Sequence, residues 1–176
     1  MVHREFEPAP CPPNYEPPTS AEELLARYAE GERHFQHAQL SGAELVEADL
    51  RGVNLEDADL EDAVLDGANL EGAWLRSATL EDASLVGTRL VNANMRGAYF
   101  HGANFEGADL QDAAMPSGNG RGANLQGARL VEAHMPFINL IAANLDGADL
   151  QRLPDVLELC CGCRHAGILL TGMCDV

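Results

Sequence analysis

The sequence contains no lysine: its eleven basic residues are all arginine, set against 28 acidic residues. The net charge of -17 disfavours direct binding to nucleic acid, because the phosphate backbone requires a basic footprint. No apolar run approaches the roughly 18 residues of a membrane-spanning helix, so we expect no membrane contact. The first residues lack the pattern of a signal peptide and the cysteine count is odd, so we expect a cytoplasmic protein with reduced thiols.

Aromatic residues make up only 5% of the chain, although 46% of it is hydrophobic, so the interior must consist mainly of Leu, Ala and Val. The sequence also lacks the patterns of a catalyst. It has no Ser-His-Asp context and no glycine loop of the kind that cradles phosphate, and its six histidines are scattered. We therefore expect no enzymatic activity and no cofactor.

What the sequence does have is a register of five residues from Ala38 to Arg152. Of 23 successive units, 22 have a large apolar residue at the centre, usually Leu, and Gly120 is the exception. Alanine stands two residues before the centre in 19 units, and glycine stands two residues after it in 11. Asp or Asn often lies between the alanine and the centre. A period held for so long predicts a repeat protein.

The period of five excludes an α-helix, because five residues advance a helix by about 500° and would scatter successive leucines over its surface. In an extended segment, by contrast, alanine and the leucine two residues later point to the same side. The residues between a leucine and the next alanine can form a corner, where glycine supplies unusual φ values and Asp or Asn supplies local hydrogen bonds. The sequence therefore predicts a coil with Ala and Leu inside.

Units of the form A-(D/N)-L-x-x, such as Ala48-Asp49-Leu50, resemble the pentapeptide-repeat family over about two thirds of the chain. The segment from Leu25 to Phe35 is similar to the lead-in of many cyanobacterial members. The resemblance implies an all-β solenoid, namely a right-handed quadrilateral β-helix with four units per coil. Twenty-three units would then make just under six coils, on the order of 28 Å of rod.

A solenoid exposes strand edges and apolar interior at both ends, so we expect the flanking segments to close them. We divide the chain into a Pro-rich extended or disordered arm (1-19), an N-terminal capping helix with its lead-in (20-37), the β-helix (38-152) and a partly helical C-terminal cap (153-176). Ser20 and Glu23 have the spacing of a capping box. The helix face that would seal the first coil carries Leu24, Leu25 and Tyr28.

The one break in the repeat is Met115–Gly120, which keeps the phase of five and therefore replaces a unit without inserting one. If positions 20 apart are stacked, Phe100 lies next to Gly120 and Ile138 next to Gly118. We expect these two large side chains to fill the space that the glycines leave, and we interpret the segment as an irregular turn.

One side of the predicted prism collects carboxylates, with Glu61 stacked on Glu81, Asp62 on Asp82, and Asp59 nearby. Like charges repel at this spacing, and clustered carboxylates are the ligands that a Ca²⁺-type ion uses. We interpret these residues as a solvated acidic face, with a cation site as the alternative.

Another side carries candidate partner-binding residues: Trp74, Arg76, Arg96 and His134. Trp74 takes an outward position that usually holds Asp or Asn, and an exposed tryptophan beside arginine suits contact with a protein partner. The alternative, which we favour, is a structural pair in which Arg76 or Arg96 packs on the indole ring.

Four metal-ligating residues gather near the C-terminus, where Cys160 and Cys163 form a C-x-x-C and His165 and Cys174 follow. Such a set can ligate Zn²⁺. A single C-x-x-C in an apolar tail is, however, equally typical of buried free cysteines. We expect ordinary packing, with a metal or redox site as the alternative.

These patterns favour a non-catalytic scaffold that presents flat, acidic faces to an unidentified protein partner, as a monomer or as a dimer through its end caps. The family resemblance implies an alternative, since some members mimic B-form DNA and bind DNA gyrase. The acidic surface fits that class, but the gyrase-binding members are dimers with Phe-rich centres, and only Phe100 and Phe105 are phenylalanine here. Twelve of the 18 acids in the repeat fall before Leu85, so the charge is concentrated in the first half of the rod.

Overall fold

The computed structural model describes residues 11-154 of the 176-residue chain. Over these residues strand pairing consists of twenty single-residue parallel β-bridges, from His34–Asn54 to Arg129–Asp149. Each bridge joins a residue to the one twenty positions later, and bridges recur at every fifth residue. Each coil therefore has four sides and twenty residues, which confirms the predicted stacking of four units per coil.

We number the coils 1 to 6 from their first bridge residue, so that they begin at positions 34, 54, 74, 94, 114 and 134. The four sides are named by their columns of stacked bridge residues. Side 1 consists of His34, Asn54, Trp74, Asn94, Ala114 and His134. Side 2 consists of Gln39, Asp59, Thr79, Tyr99, Asn119 and Asn139. Side 3 runs from Glu44 to Asn144, and side 4 from Asp49 to Asp149.

The corners between the sides are four-residue turns, each closed by a backbone hydrogen bond such as that from Ala43 N to Leu40 O (3.0 Å). The third residue of the turn has positive φ at all 24 positions from His37 to Arg152, and 11 of these residues are glycine. Positive φ at this position is the requirement of a type II turn, which explains why the repeat favours glycine there. The remaining residues are polar or small except Phe137, whose φ is 59°.

The interior is filled by the side chains that the repeat places inward. Every large apolar centre from Leu40 to Leu150 is at most 5% exposed, and most of the alanines two residues earlier are fully buried. Thr88 occupies one of the alanine positions, and its hydroxyl donates a 2.7 Å hydrogen bond to the carbonyl of Leu65. Close packing of this kind leaves the outer surface to carry function.

The break at Met115–Gly120 stays in register, and the ring of Phe100 fills the space above it. A Cβ atom placed on Gly118 would lie 2.9 Å from Cε1 of Phe100, and one on Gly120 would lie 2.7 Å from Cδ2 of the same ring. The expectation for Phe100 is therefore confirmed. Ile138 packs against the core but is not among the atoms nearest to either glycine, so its share stays a prediction.

The coil begins one unit earlier than we expected, because His34 already pairs with Asn54 and Phe35 is a fully buried centre. The period is hidden here because Arg33 occupies the alanine position. Its guanidinium stacks on the Tyr28 ring at 3.7 Å, so the charged group can leave the interior. The boundary between lead-in and β-helix therefore lies at residue 33 and not at residue 38.

One α-helix, α1 (Ala21–Ala29), precedes the first coil. The Ser20 hydroxyl accepts a hydrogen bond from Glu23 N at 3.1 Å and so satisfies a free N–H of the first turn. Leu24 is fully buried and Tyr28 packs against the core. Leu25 is 37% exposed, so the expectation that it faces the coil is wrong.

The N-terminal arm contacts the first coil through Tyr15 and Pro18. Tyr15 donates a 3.0 Å hydrogen bond from its hydroxyl to Gln36 O. Gln39 N donates to Pro18 O at 2.9 Å, which repeats the bond from Asp59 N to Ala38 O one coil later. Pro18 is buried and so occupies the place of a preceding coil on side 2.

Candidate interaction surfaces

The four residues singled out around Trp74 do face one side of the prism, but only three of them are close together. Trp74 is half-buried on side 1 between Asn54 and Asn94, and Arg76 and Arg96 are stacked at the corner that follows. His134 lies on side 1 three coils further along, about 14 Å away at sheet spacing. Side 1 therefore holds one cluster and one separate histidine.

Arg76 forms an ion pair with Glu56 of the preceding coil, at 3.6 Å between Nε and Oε1. The expectation that Arg76 or Arg96 packs on the Trp74 ring stays a prediction. Cation–π contacts do occur at the N-terminal end, where Arg27 lies over the rings of Tyr15 and Phe35 at 5.5 Å.

The predicted acidic stack lies on side 2 and on the corner between sides 2 and 3. Glu61, Asp62 and Asp82 are exposed, and Glu81 is half-buried. Asp59 turns its Oδ1 back to accept a hydrogen bond from Glu61 N at 3.1 Å. Among residues 11-154 no group of three or more acidic, histidine or cysteine side chains is arranged to hold a metal ion.

The predicted C-terminal ligand set, comprising Cys160, Cys163, His165 and Cys174, lies outside the described residues. The same holds for the C-terminal cap beyond Pro154. Within the described part of the chain, no helix is long and apolar enough to cross a membrane.

The sequence analysis missed a polar cluster around Arg27 of α1. Its guanidinium donates two 2.8 Å hydrogen bonds to the Glu32 carboxylate and one of 3.0 Å to Glu23. These bonds hold the pKa of Glu32 below its usual value and raise that of Arg27, while burial raises the pKa of Tyr15. The cluster borders an open depression of about 370 Å³. The cluster joins the arm to the helix, because Arg27 also donates a 2.9 Å hydrogen bond to Glu16 O of the arm.

The sequence analysis also missed three outward-facing apolar side chains in the second half of the rod, one in coil 4 and two in coil 6. Phe137 is 75% exposed, Ile141 49% and Tyr99 48%. Phe137 lies on the corner between sides 1 and 2, Ile141 on the corner between sides 2 and 3, and Tyr99 on side 2 between them. The register of five contains the signal, because it assigns all three to positions where most other units have polar or small residues.

The repeats themselves match a known family. The family model for pentapeptide repeats matches in eight copies, over residues 34-72, 43-82, 73-112 and 121-152, which is more than half of the chain. The chain belongs to the pentapeptide-repeat family. Its coil is therefore the family's right-handed β-helix, and pentapeptide-repeat proteins are in general non-catalytic.

Several solved structures of pentapeptide-repeat proteins are similar to this chain. HetL of Nostoc sp. strain PCC 7120, involved in the regulation of heterocyst differentiation, is 34% identical over 76% of this chain and 71% of its own, with a TM-score of 0.26. A protein of the Arabidopsis thaliana thylakoid lumen is 23% identical over 68% of this chain and just under two thirds (66%) of its own, with a TM-score of 0.48. QnrB1, a plasmid-mediated fluoroquinolone resistance protein, is 16% identical over 79% of this chain and 82% of its own, with a TM-score of 0.43. Comparison with curated proteins finds no match.

Proposed function

We propose that this pentapeptide-repeat protein is a non-catalytic scaffold that binds another protein on side 1 and on the corner between sides 1 and 2. The contact surface would include Trp74, Arg76, Arg96, His134 and Phe137. Aromatic and arginine side chains are those that contribute most to protein interfaces. A rigid coil with a filled interior holds such residues at fixed spacings and loses little entropy on binding.

The observation that carries this proposal is the conformation of Phe137. Its ring is 75% exposed, and its backbone φ is 59°, in the left-handed region that a bulky side chain rarely adopts. Both features cost free energy, and neither is needed for the turn, since glycine serves at eleven equivalent positions. Strain and exposure together at one residue are typical of a binding surface.

Affinity capture from the native host tests the proposal, with Phe137→Gly as the diagnostic variant. Glycine relieves the backbone strain, so this variant should be at least as stable as the wild type while it loses the partner. Glu47→Gly is the matched control, because Glu47 has the same conformation (φ 56°) on the diagonally opposite corner. A specific partner retained by Phe137→Gly as well as by Glu47→Gly would contradict the assignment of the surface.

A second candidate function is mimicry of DNA, which is supported by the acidic first half of the rod. Glu61, Asp62 and Asp82 are exposed and succeed one another along a corner, as phosphates do along a duplex. Six coils at about 4.8 Å correspond to roughly eight base pairs at 3.4 Å, so one chain would cover only a short stretch of an enzyme's DNA site. Inhibition of DNA gyrase supercoiling by excess protein would support this function, and unchanged supercoiling would refute it.

A further inference from the structure

Side 2 and its two corners differ in charge between the halves of the rod. In coils 1 to 3 this surface carries seven carboxylates, one arginine, Arg76, and one histidine, His37. The carboxylates are Glu56, Asp57, Asp59, Glu61, Asp62, Glu81 and Asp82. In coils 4 to 6 it carries no carboxylate, and its ionisable side chains are Arg96, His101 and Arg121. One face of a strongly acidic protein is therefore divided into an acidic half and an acid-free half.

The charges of these halves are largely unsatisfied within the chain. Glu56 pairs with Arg76, but the other six carboxylates have no ion-pair partner in residues 11-154. Arg121 is exposed and also has no ion-pair partner in this range. In contrast, Arg89 on side 4 pairs with Glu71 at 3.0 Å and Arg129 with Asp109 at 3.5 Å. The six carboxylates and the guanidinium of Arg121 thus lie on one surface without an ion-pair partner in residues 11-154, because they are too far apart along the rod to meet within one molecule.

We propose that two copies of this chain associate through side 2 in antiparallel orientation, so that the acidic half of each covers the acid-free half of the other. The two-fold axis lies in the plane of the contact, perpendicular to the rod, and passes between coils 3 and 4. Each corner of side 2 then faces the same corner of the second copy, and the coils run in the opposite order. Such an interface is self-complementary, as closed dimers require.

In this alignment, basic side chains of coils 4 and 5 in one copy face carboxylates of coils 3 and 2 in the other. Coil 5 faces coil 2, which brings Arg121 to Glu61 and Asp62. Coil 4 faces coil 3, which brings His101 to Glu81 and Asp82. A parallel arrangement would place carboxylates against carboxylates, so electrostatics favours the antiparallel one.

The centre of the interface also supplies an apolar contact. Tyr99, which is 48% exposed, faces Thr79 of the second copy on the flat part of side 2. Arg76 faces Arg96, but the charge of Arg76 is already offset by Glu56. The contact therefore has an aromatic anchor and, twice in the dimer, a pair of opposite charges between Arg121 and Glu61. It also covers the corner between sides 1 and 2 that carries Arg96 and Phe137, so a dimer leaves only the face of side 1, including Trp74, open for a partner.

The proposal is tested by sedimentation equilibrium of the full-length chain at about 0.1 M and about 1 M ionic strength, where the Debye length is about 10 Å and about 3 Å. The lower value is chosen because it already screens the long-range repulsion between two copies of net charge -17. We expect a dimer at about 0.1 M that dissociates at about 1 M. A chain that stays monomeric under both conditions overturns the proposal, and so does a dimer that is unaffected by salt.

Charge reversal identifies the surface. Arg121→Glu and Glu61→Arg should each raise the dissociation constant at least tenfold, because each places like charges together twice in a two-fold dimer. The variant with both substitutions should restore the dimer. Arg129→Glu is the matched control, since it makes the same charge change in the same coil on the opposite side, and it should leave the dimer intact.

Two other outcomes overturn the proposal. Equal weakening by Arg121→Glu and Arg129→Glu would show a general effect of net charge. A dimer that survives Arg121→Glu but is lost when residues 155-176 are deleted would place the contact at the end of the rod. Arg121 and Glu61 lie on the corner between sides 2 and 3, away from Phe137 and Trp74, so these variants test the dimer without altering the proposed partner surface.

Discussion

Replacing Gly120 with alanine is expected to destabilise the protein, although a side chain at this position would bring the unit closer to the repeat consensus. A Cβ atom at Gly120 would lie 2.7 Å from Cδ2 and 2.9 Å from Cζ of Phe100. Real Cβ contacts are longer, so the ring has to move, and Phe100 is only 1% exposed in a filled interior. Overpacking of this kind costs about 1 to 3 kcal/mol in the free energy of unfolding.

The magnitude can be assigned to the Phe100 ring by a double-mutant cycle. Phe100→Leu alone removes buried atoms and should cost about 1 kcal/mol or more. In the Phe100→Leu background, Gly120→Ala should cost little or become stabilising, because the alanine then fills the space that the ring has left. We therefore expect an interaction free energy of about 1 to 3 kcal/mol that favours the double variant.

Urea unfolding followed by circular dichroism gives the free energy of unfolding of the wild type and of each variant. The dependence of this free energy on urea concentration should be the same for all four proteins, so that the values can be compared. Gly118→Ala provides a second reading, since its Cβ would lie 2.9 Å from Cε1 of the same ring. If the two substitutions are additive within about 0.5 kcal/mol, the ring does not occupy this space and the packing argument is refuted.

Three further predictions concern single side chains. Ala142→Gly should raise the free energy of unfolding by about 0.5 to 1 kcal/mol in urea titrations, because Ala142 has φ 62° and alanine is strained there. Thr88→Val should lower it by about 1 kcal/mol, because it removes the buried hydrogen bond to Leu65 O. Arg27→Met should weaken the pH dependence of the melting temperature. Arg27 lowers the pKa of Glu32, so its stabilisation is present above the ordinary value of 4.5 and is lost as the pH falls through the lowered pKa.

The interior could be predicted from the sequence because each inward position obeys one simple rule. A period of five places Ala and Leu on the same side of an extended segment, and the residues found buried are those that the rule names. The exception at Gly120 is also predictable once residues twenty apart are stacked, because the large ring of Phe100 fills the space that Gly120 leaves in the next coil. The number four and the right hand came from the family resemblance, because a period alone does not fix how many units close a turn.

The ends and the surface followed less directly from the sequence. Arg33 hid the first unit, because its charged group leaves the interior by stacking on Tyr28. The docking of the arm through Pro18 depends on a backbone carbonyl, which carries no side-chain signal. Phe137 carries no charge that would mark it as a surface residue, and only its place in the register assigns it to a left-handed corner.

Because each coil contains twenty residues on four sides, the side on which a residue lies changes whenever five residues are added or removed before it. Deleting one five-residue unit from a middle coil would preserve the fold and the buried core, yet it would rotate everything after the deletion by one side. Arg121 and Tyr99 would then leave the face that bears Glu61, while a deletion of four units would return them to it on a shorter rod. In this architecture a small insertion or deletion changes what a face presents without changing what holds the protein together.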